Sequence, residues 1–363
     1  MIKDENIYIA GPACFYERGN ELWDSWKKEA IYYGFGVSLP NDAKLDFDPD
    51  DKKSLSAAIF KNCYDSIKAS TGIIANFETY RGAEPDGGTI YEVGMAYGRG
   101  LKCYGYTRDK RPIGVKYQSG RYVGDTLLDL DGRQLPDLKL PFSACLVGAC
   151  KIVEGSFSDA LKVYMLDIEE ESKRKAMHLK AEIAIPDQTI PRSGRPIVYL
   201  ATLERYSDQA AEKYAAMKEV LDRYGFDAIA PSDLAPGVED LATDDVYARA
   251  YNLFDRYQQH VRNCDIILAD LSDYHGYEPN SDVAFECGMA NSLGKKMFAY
   301  MDDVRPMIER IPNSGEPGGF RDINGMNVEN FEAPLNLMFG ASMELFGGAF
   351  EDVVRQMAAS LKK

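Results

Sequence analysis

Histidine is almost missing from this chain. Its 363 residues include only three, His178, His260 and His275. Apart from His260, with Cys264 four residues on, none stands near another or near a cysteine at metal-ligand spacing, and one such pair does not make a zinc site. A histidine general base is equally poorly supplied, so acid–base or nucleophilic chemistry falls to carboxylates. There is no C-x-x-C pair. The seven cysteines, an odd number, read as the reduced thiols of a cytosolic protein. No apolar run approaches the roughly 20 residues of a membrane span. The N-terminus, from Met1 to Asn6, leads straight into a strand with no signal-peptide pattern. Positive charge is in deficit: 42 Lys and Arg against 57 Asp and Glu leave a net charge of -15. That balance argues against a nucleic-acid backbone or an anionic membrane surface as partner. It names no function by itself.

What the chain does have is a strand–loop–helix unit written twice. The apolar run Gly72-Ile73-Ile74-Ala75, ending at Asn76, has the length of a buried parallel strand. A loop, Arg81 to Pro85, follows it. Then Asp86-Gly87-Gly88-Thr89 opens a helix that carries Glu92 on its first turns. Ligands of open α/β sheets sit at this end of the strands. Paired glycines let backbone N–H groups come close to a ligand, and a helix start favours an anion. One such stretch is also explained by an N-capping Asp and an ordinary first-turn Glu. The second copy shifts the balance. After the run Ile266-Ile267-Leu268-Ala269, the stretch Asn280 to Ala290 repeats the Glu-x-Gly-Met-Ala ending with Glu286.

Length suits two domains of ordinary size, and 45% hydrophobic residues suffice for packed cores. Strands at Ile7–Ala10, within the turn and strand Gly34–Pro40, at Gly72–Ala75 and at Leu101–Tyr106 alternate with helices over Gly19–Tyr33, Ser54–Ala69 and Phe157–Lys175. The Ser54 helix carries Ile59, Cys63 and Ile67 along one stripe. This alternation predicts an α/β fold with a doubly wound parallel sheet of flavodoxin-like kind. Thr107 to Leu140, rich in Gly, Pro and charge, reads as a flap over that sheet's edge. Ala176 to Pro196 reads as a connector, after which the pattern restarts: Ile197–Ala201 matches the first strand, and Tyr274–Asn280 matches Tyr80–Asp86. We therefore expect two tandem domains, residues 1–178 and 195–363, packed as an intramolecular pseudo-dimer about a local two-fold.

Ile7-Tyr8-Ile9-Ala10-Gly11-Pro12, the Asp-Gly-Gly-Thr-x-x-Glu-x-Gly stretch from Asp86, and Asn336-Leu337-Met338 resemble nucleoside 2-deoxyribosyltransferases. Each repeat is about one family subunit long. The resemblance implies a flavodoxin-like fold, no cofactor, and transfer of 2-deoxyribose from one nucleobase to another through a covalent glycosyl-enzyme. It implies small-molecule partners, a deoxynucleoside and a free base. It assigns Glu92 as the nucleophile, Asp86 as the group that orients or protonates the base, and Tyr8 as the group that holds Glu92. The chemistry agrees. A 2-deoxy sugar has no 2-hydroxyl to destabilise an oxocarbenium-like transition state, so one placed carboxylate can capture it. A carboxyl group in a dry pocket can have its pKa raised enough to protonate the leaving base. Gly11, Gly88 and Thr89 belong to the same substrate-binding set. Phe15 either stacks on the substrate or belongs to the core.

In this family a neighbouring subunit supplies Asn-x-Met, and here Asn336 and Met338 match. Met338 reads equally as core filler. The family's further Asp, on the helix before the third strand, has no clear counterpart: Cys63 stands near its place, with Asn62 and Asp65 beside it as candidates. The loop Asn41–Asp51 is expected to contribute to base choice. In repeat 2, Gly11 becomes Thr202, Asp86 becomes Asn280 and Thr89 becomes Val283, while Ser143 and Cys145 of repeat 1 align with Asn336 and Met338. One working site per chain is the expectation, with repeat 2 degenerate. An N-glycosidase acting on nucleosides or their 5′-monophosphates, and a non-catalytic nucleoside-binding module, are the competing readings.

Overall fold

The computed structural model describes residues 4–362 except 41, 43–44, 49, 118–120, 124–125, 130–131, 134–138, 177–189, 191, 236, 239–242 and 316–318. In the first repeat β1 (Asn6–Ala10), α1 (Gly19–Tyr32), β2 (Gly36–Ser38), α2 (Lys52–Lys68), β3 (Gly72–Asn76), α3 (Gly87–Gly98) and β4 (Lys102–Thr107) alternate. Then come α4 (Ile113–Lys116), the hairpin β5 (Arg121–Val123) and β6 (Thr126–Leu128), α5 (Ala144–Ala149), β7 (Lys151–Glu154) and α6 (Phe157–Ala176). The second repeat runs β8 (Ile197–Ala201), α7 (Ala210–Arg223), β9 (Asp227–Ile229), α8 (Val246–Asn263), β10 (Ile266–Asp270), α9 (Ser281–Ser292) and β11 (Lys296–Tyr300). It ends with α10 (Met307–Arg310), α11 (Leu337–Gly340), β12 (Glu344–Phe346) and α12 (Phe350–Ser360). Most of the connector, and the domain boundary at residue 178, lie outside the described residues.

Each repeat builds one five-stranded parallel sheet, in the orders β2-β1-β3-β4-β7 and β9-β8-β10-β11-β12. Both are the 2-1-3-4-5 order of flavodoxin-like folds. The central strands are continuous apolar runs because helices cover both faces, and β3, β8 and β10 are buried throughout. Trp23, Phe35, Ile74 and Tyr164 pack on the outer face of the first sheet. Val198, Leu200, Tyr214 and Val353 do so on the second. The inner faces share one core: Tyr91, Met95, Phe254, Phe285, Met289 and Phe339 belong to a single cluster that crosses between the repeats. The two domains therefore meet across an apolar interface, not across a loose linker. Among the described residues no helix is long and apolar enough to cross a membrane.

Two glycines let α3 and α9 touch backbone to backbone at that interface. A Cβ on Gly94 would lie 2.1 Å from the Phe285 carbonyl oxygen, and one on Gly288 would lie 1.9 Å from that of Tyr91. Neither neighbour is a flexible side-chain tip. We expect Gly288→Ala to force the helices apart at a cost of about 1–3 kcal/mol, seen as a lowered Tm in thermal unfolding. An unchanged Tm would show that the seam is looser than this contact.

The pseudo-two-fold continues outward from the glycines. Arg81 and His275 both hold positive φ, 49° and 51°, and their loops pair: Ala83 N–H donates to the His275 carbonyl at 2.9 Å, and Tyr277 N–H to that of Arg81 at 3.0 Å. Each loop sends a buried Glu to the other repeat's helix start. Glu278 accepts from Gly87 N at 2.9 Å, and Glu84 accepts from Ser281 N at 3.2 Å. The described part of the 107–140 segment corrects the expectation of a flap over its own sheet edge. Ile113 and Tyr117 pack on Leu203 and Tyr274 of repeat 2, and Tyr117 stacks on His275 with ring centroids 4.1 Å apart. Each repeat's long segment after its fourth strand covers the other repeat, because the two-fold brings those loops to the partner's strand ends.

Candidate active site

The strand order changes direction between β1 and β3, and ligands of such sheets bind beyond the strand ends at that point. Here β1 runs out through Gly11, and β3 through Asn76. Gly11 comes close to β3: a Cβ there would lie 3.0 Å from the Asn76 Cβ, a tight contact that Asn76 would have to yield to. Asp86 caps α3, with Oδ2 accepting from Thr89 N at 2.8 Å and Thr89 Oγ1 at 2.5 Å. This satisfies an orphan helix-start donor. The other oxygen, Oδ1, is buried with no protein partner. About one and a half turns on, Glu92 points to β1, where the Tyr8 hydroxyl donates to its Oε1 at 2.5 Å.

These groups surround a cavity of about 350 Å³. Its floor is Gly11, Asp86, Gly88, Thr89 and Glu92. An apolar wall from repeat 1 is made by Phe15, Trp23, Pro40, Leu45 and Ile59, with Cys14 and Cys63. The opposite wall belongs to repeat 2: Asn327, Glu329, Phe331, Asn336, Leu337 and Met338. Asn336 caps the short α11 by accepting from Met338 N at 2.9 Å. Its amide stands so close to α3 that a Cβ on Gly88 would lie 2.5 Å from Asn336 Nδ2. Gly88 is thus glycine because a side chain from the other repeat occupies the space.

Burial sets the electrostatics. Glu92 is 6% exposed, and desolvation pushes its carboxyl up to about 8, with Asp86 adding like-charge repulsion and the Tyr8 hydrogen bond opposing. Asp86 is raised, chiefly by desolvation, against the bonds from Thr89. Glu329 is pushed up to about 8 by desolvation and by Asp86. Three carboxyl groups that resist ionisation line one cavity, with no Lys, Arg or His among its described lining residues. Such a site holds protons near neutrality and suits an uncharged, hydroxyl-bearing ligand with an apolar end. Among the described residues no group of three His, Cys, Asp or Glu is placed to hold a metal ion.

The structure thus brings Gly11, Phe15, Asp86, Gly88, Thr89, Glu92, Asn336 and Met338 together, with Tyr8 behind Glu92. Asn62 and Asp65 are not there. The Asn62 amide donates to the Pro40 carbonyl, and Asp65 pairs with Lys61 in solvent. Cys63 faces the cavity between them, because one residue along a helix rotates a side chain by about 100°. Met338 is buried in the core cluster and also lines the cavity wall. Of the loop Asn41–Asp51, Leu45 reaches the cavity, and residues 41, 43–44 and 49 lie outside the described set. Sequence reasoning missed Asn327, Glu329 and Phe331.

The equivalent place in repeat 2 is filled. Arg205, third residue of the 3₁₀ turn Leu203–Tyr206 as Cys14 is of Pro12–Phe15, enters where the cavity would be. It forks onto Glu286, with Nη1 to Oε1 at 3.0 Å and Nη2 to Oε2 at 2.7 Å, both side chains nearly fully buried. Tyr199 donates to Glu286 at 2.7 Å, as Tyr8 does to Glu92. Asp282 stands at the position of Gly88, and its Oδ1 accepts from Cys145 N at 2.8 Å. It caps α5 from across the interface, where Asn336 caps α11 from within. Ser143 is the N-cap residue of α5 as Asn336 is of α11, so the register expected between the repeats is the observed one. Comparing the repeats residue by residue points to Arg205 directly: it replaces Cys14.

A family model described as nucleoside 2-deoxyribosyltransferase matches this chain twice, over residues 7–143 and 198–338. No curated protein sequence matches it. Among solved structures, a 2-deoxyribosyltransferase from Leishmania mexicana is similar at 28% identity, over 45% of this chain and 97% of its own, with a TM-score of 0.35. One from Bacillus psychrosaccharolyticus aligns at 17% identity over 44% of this chain and 90% of its own, TM-score 0.28. A CMP N-glycosidase from Clostridium botulinum aligns at 12% over 45% and 98%, TM-score 0.25. Each covers about one repeat. The two family matches span well over half of the residues, one in each parallel-sheet domain, and the chain belongs to the nucleoside 2-deoxyribosyltransferase family.

Proposed function

We propose that this protein transfers 2-deoxyribose between nucleobases at a single site built by both repeats. The observation that carries the reading is the packing of Asn336, from repeat 2, against Gly88 at the start of the helix that bears Glu92. In the first half-reaction a Glu92 oxygen attacks the anomeric carbon. The bond from that carbon to the base nitrogen breaks, and its electron pair leaves on the base, which takes a proton from the Asp86 carboxyl. In the second half a nitrogen of the incoming base attacks the same carbon and the Glu92 carboxylate departs, while the incoming base returns a proton to Asp86. Tyr8 steadies Glu92 in both directions. The apolar wall with Phe15 and Trp23 receives the base. The absence of a cation from the described lining favours a free 5′-hydroxyl over a 5′-phosphate, and so a nucleoside over a nucleotide.

Incubation with deoxyinosine, with and without free adenine, tests this. New deoxyadenosine is the expected product. Free sugar formed without dependence on a second base marks a hydrolase instead, and no turnover marks a binding module. We also expect Asn336→Ala to lower kcat/KM about 10²-fold, since misplacing a reacting centre by about 1 Å costs that much. A change under threefold would remove repeat 2 from the site.

A further inference from the structure

Glu329 is the cavity carboxyl for which the proposed reaction has no use. It lies in repeat 2, outside the Asp86–Glu92 stretch and the Asn336–Met338 turn. Its segment is clamped onto repeat 1. Asn327 N–H donates to the Phe15 carbonyl at 2.8 Å, Arg81 Nη2 donates to the Asn327 carbonyl at 2.5 Å, and Lys52 reaches the side chain of Asn330 at 3.1 Å. Arg81 is itself fixed by a buried ion pair to Asp322 at 2.9 Å. Glu329 therefore sits on an anchored wall. Its Oε2 accepts from Leu337 N, the peptide next to Asn336, at 3.2 Å. Among the described residues it makes no other hydrogen bond, so Oε1 is free for a ligand.

Position decides what that ligand atom is. A sugar attacked by Glu92 has its anomeric carbon there. The base then extends to the apolar wall of Phe15, Trp23 and Pro40, and the hydroxylated tail extends to the repeat 2 wall, where Glu329 is bonded to the peptide next to Asn336. We propose that Glu329 is a specificity-determining residue that, with Asn336, binds the primary hydroxyl at the tail of the sugar. The inference rests on the nucleoside reading above. A carboxyl pushed up to about 8 keeps its proton near neutrality, so it can donate to the hydroxyl oxygen as well as accept from it. A tail lacking the hydroxyl leaves Glu329 and the Asn336 amide unpaired in a dry cavity, which is the strong form of discrimination.

The test is binding, so that it does not depend on turnover. Titration calorimetry compares deoxyinosine with its 5′-deoxy analogue on a Glu92→Gln background. Adding Glu329→Ala should shrink the preference for the 5′-hydroxyl by about 10- to 100-fold, the loss expected for a hydrogen bond involving a charged or ionisable group. Affinity for the 5′-deoxy analogue should change less than threefold, and Glu329→Gln should restore most of the preference. A preference unchanged in Glu329→Ala, or an equal loss for both ligands, overturns the inference and makes Glu329 a support for Leu337 alone. Base exchange by the wild-type protein is measured separately. Exchange with an unchanged preference sinks only the role of Glu329. A shifted preference without exchange sinks only the transferase reading. No binding of either nucleoside overturns both.

Discussion

Glu92→Ala is expected to reduce base exchange on the order of 10⁴-fold or more, because in the proposed reaction it removes the atom that forms the covalent bond. Folding should survive. Glu92 is buried at a cavity floor, and its loss leaves the Tyr8 hydroxyl unpaired at about 1–3 kcal/mol while removing a carboxyl that resists ionisation. Glu92→Gln separates the two effects. A carboxyl raised from about 4.5 to about 8 contributes stability fully present below the unfolded value and lost as pH climbs through the folded one. The wild-type Tm should therefore fall more between pH 5 and pH 8.5 than that of Glu92→Gln. Activity runs the other way: in the proposed reaction the attacking form is the carboxylate, so kcat/KM should rise with pH toward about 8. A wild-type kcat/KM flat from pH 5 to 8.5 would show that Glu92 is already ionised and does not titrate in this cavity.

The second large effect lies in repeat 2. Arg205→Ala should cost about 3–5 kcal/mol, the typical penalty for leaving one partner of a buried pair uncompensated. Glu286→Ala should cost a similar amount, because it strands Arg205, whose guanidinium otherwise lies 4.7 Å from the Tyr257 ring centroid. Replacing both partners with apolar residues, Arg205→Met with Glu286→Leu, should recover stability to within about 1–2 kcal/mol of wild type. Turnover per folded molecule should stay near wild type in all three variants, read from chemical denaturation and from activity normalised to folded protein. Loss of activity in the double variant with stability retained would make Glu286 a working residue.

The contrast between the halves explains what the sequence could disclose. A strand, a glycine loop and a helix carrying Asp86 and Glu92 form a local unit, so spacing alone places both carboxyl groups at one strand end. Asn336 was reachable because the repeats align and the family uses a neighbour's Asn-x-Met. The sequence leaves Asn62, Cys63 and Asp65 open as the inward-facing residue; the structure places Cys63 at the cavity, on the helix stripe it shares with Ile59 and Ile67. Glu329 and Phe331 were hidden for a different reason. They reach the cavity from an irregular segment held by Phe15 and Arg81, far away in sequence, and irregular segments carry no period to read. The exchange of flaps between repeats was hidden likewise, since it follows from the two-fold and not from local pattern.

The central claim is one site per chain, made by two repeats. Reaction of the wild-type protein with a slow 2-fluoro-substituted deoxynucleoside, followed by intact-mass and peptide mass spectrometry, tests it most directly. The account predicts one sugar adduct per chain, on Glu92, and none on Glu286. Two adducts per chain, or one on any other residue, would contradict it.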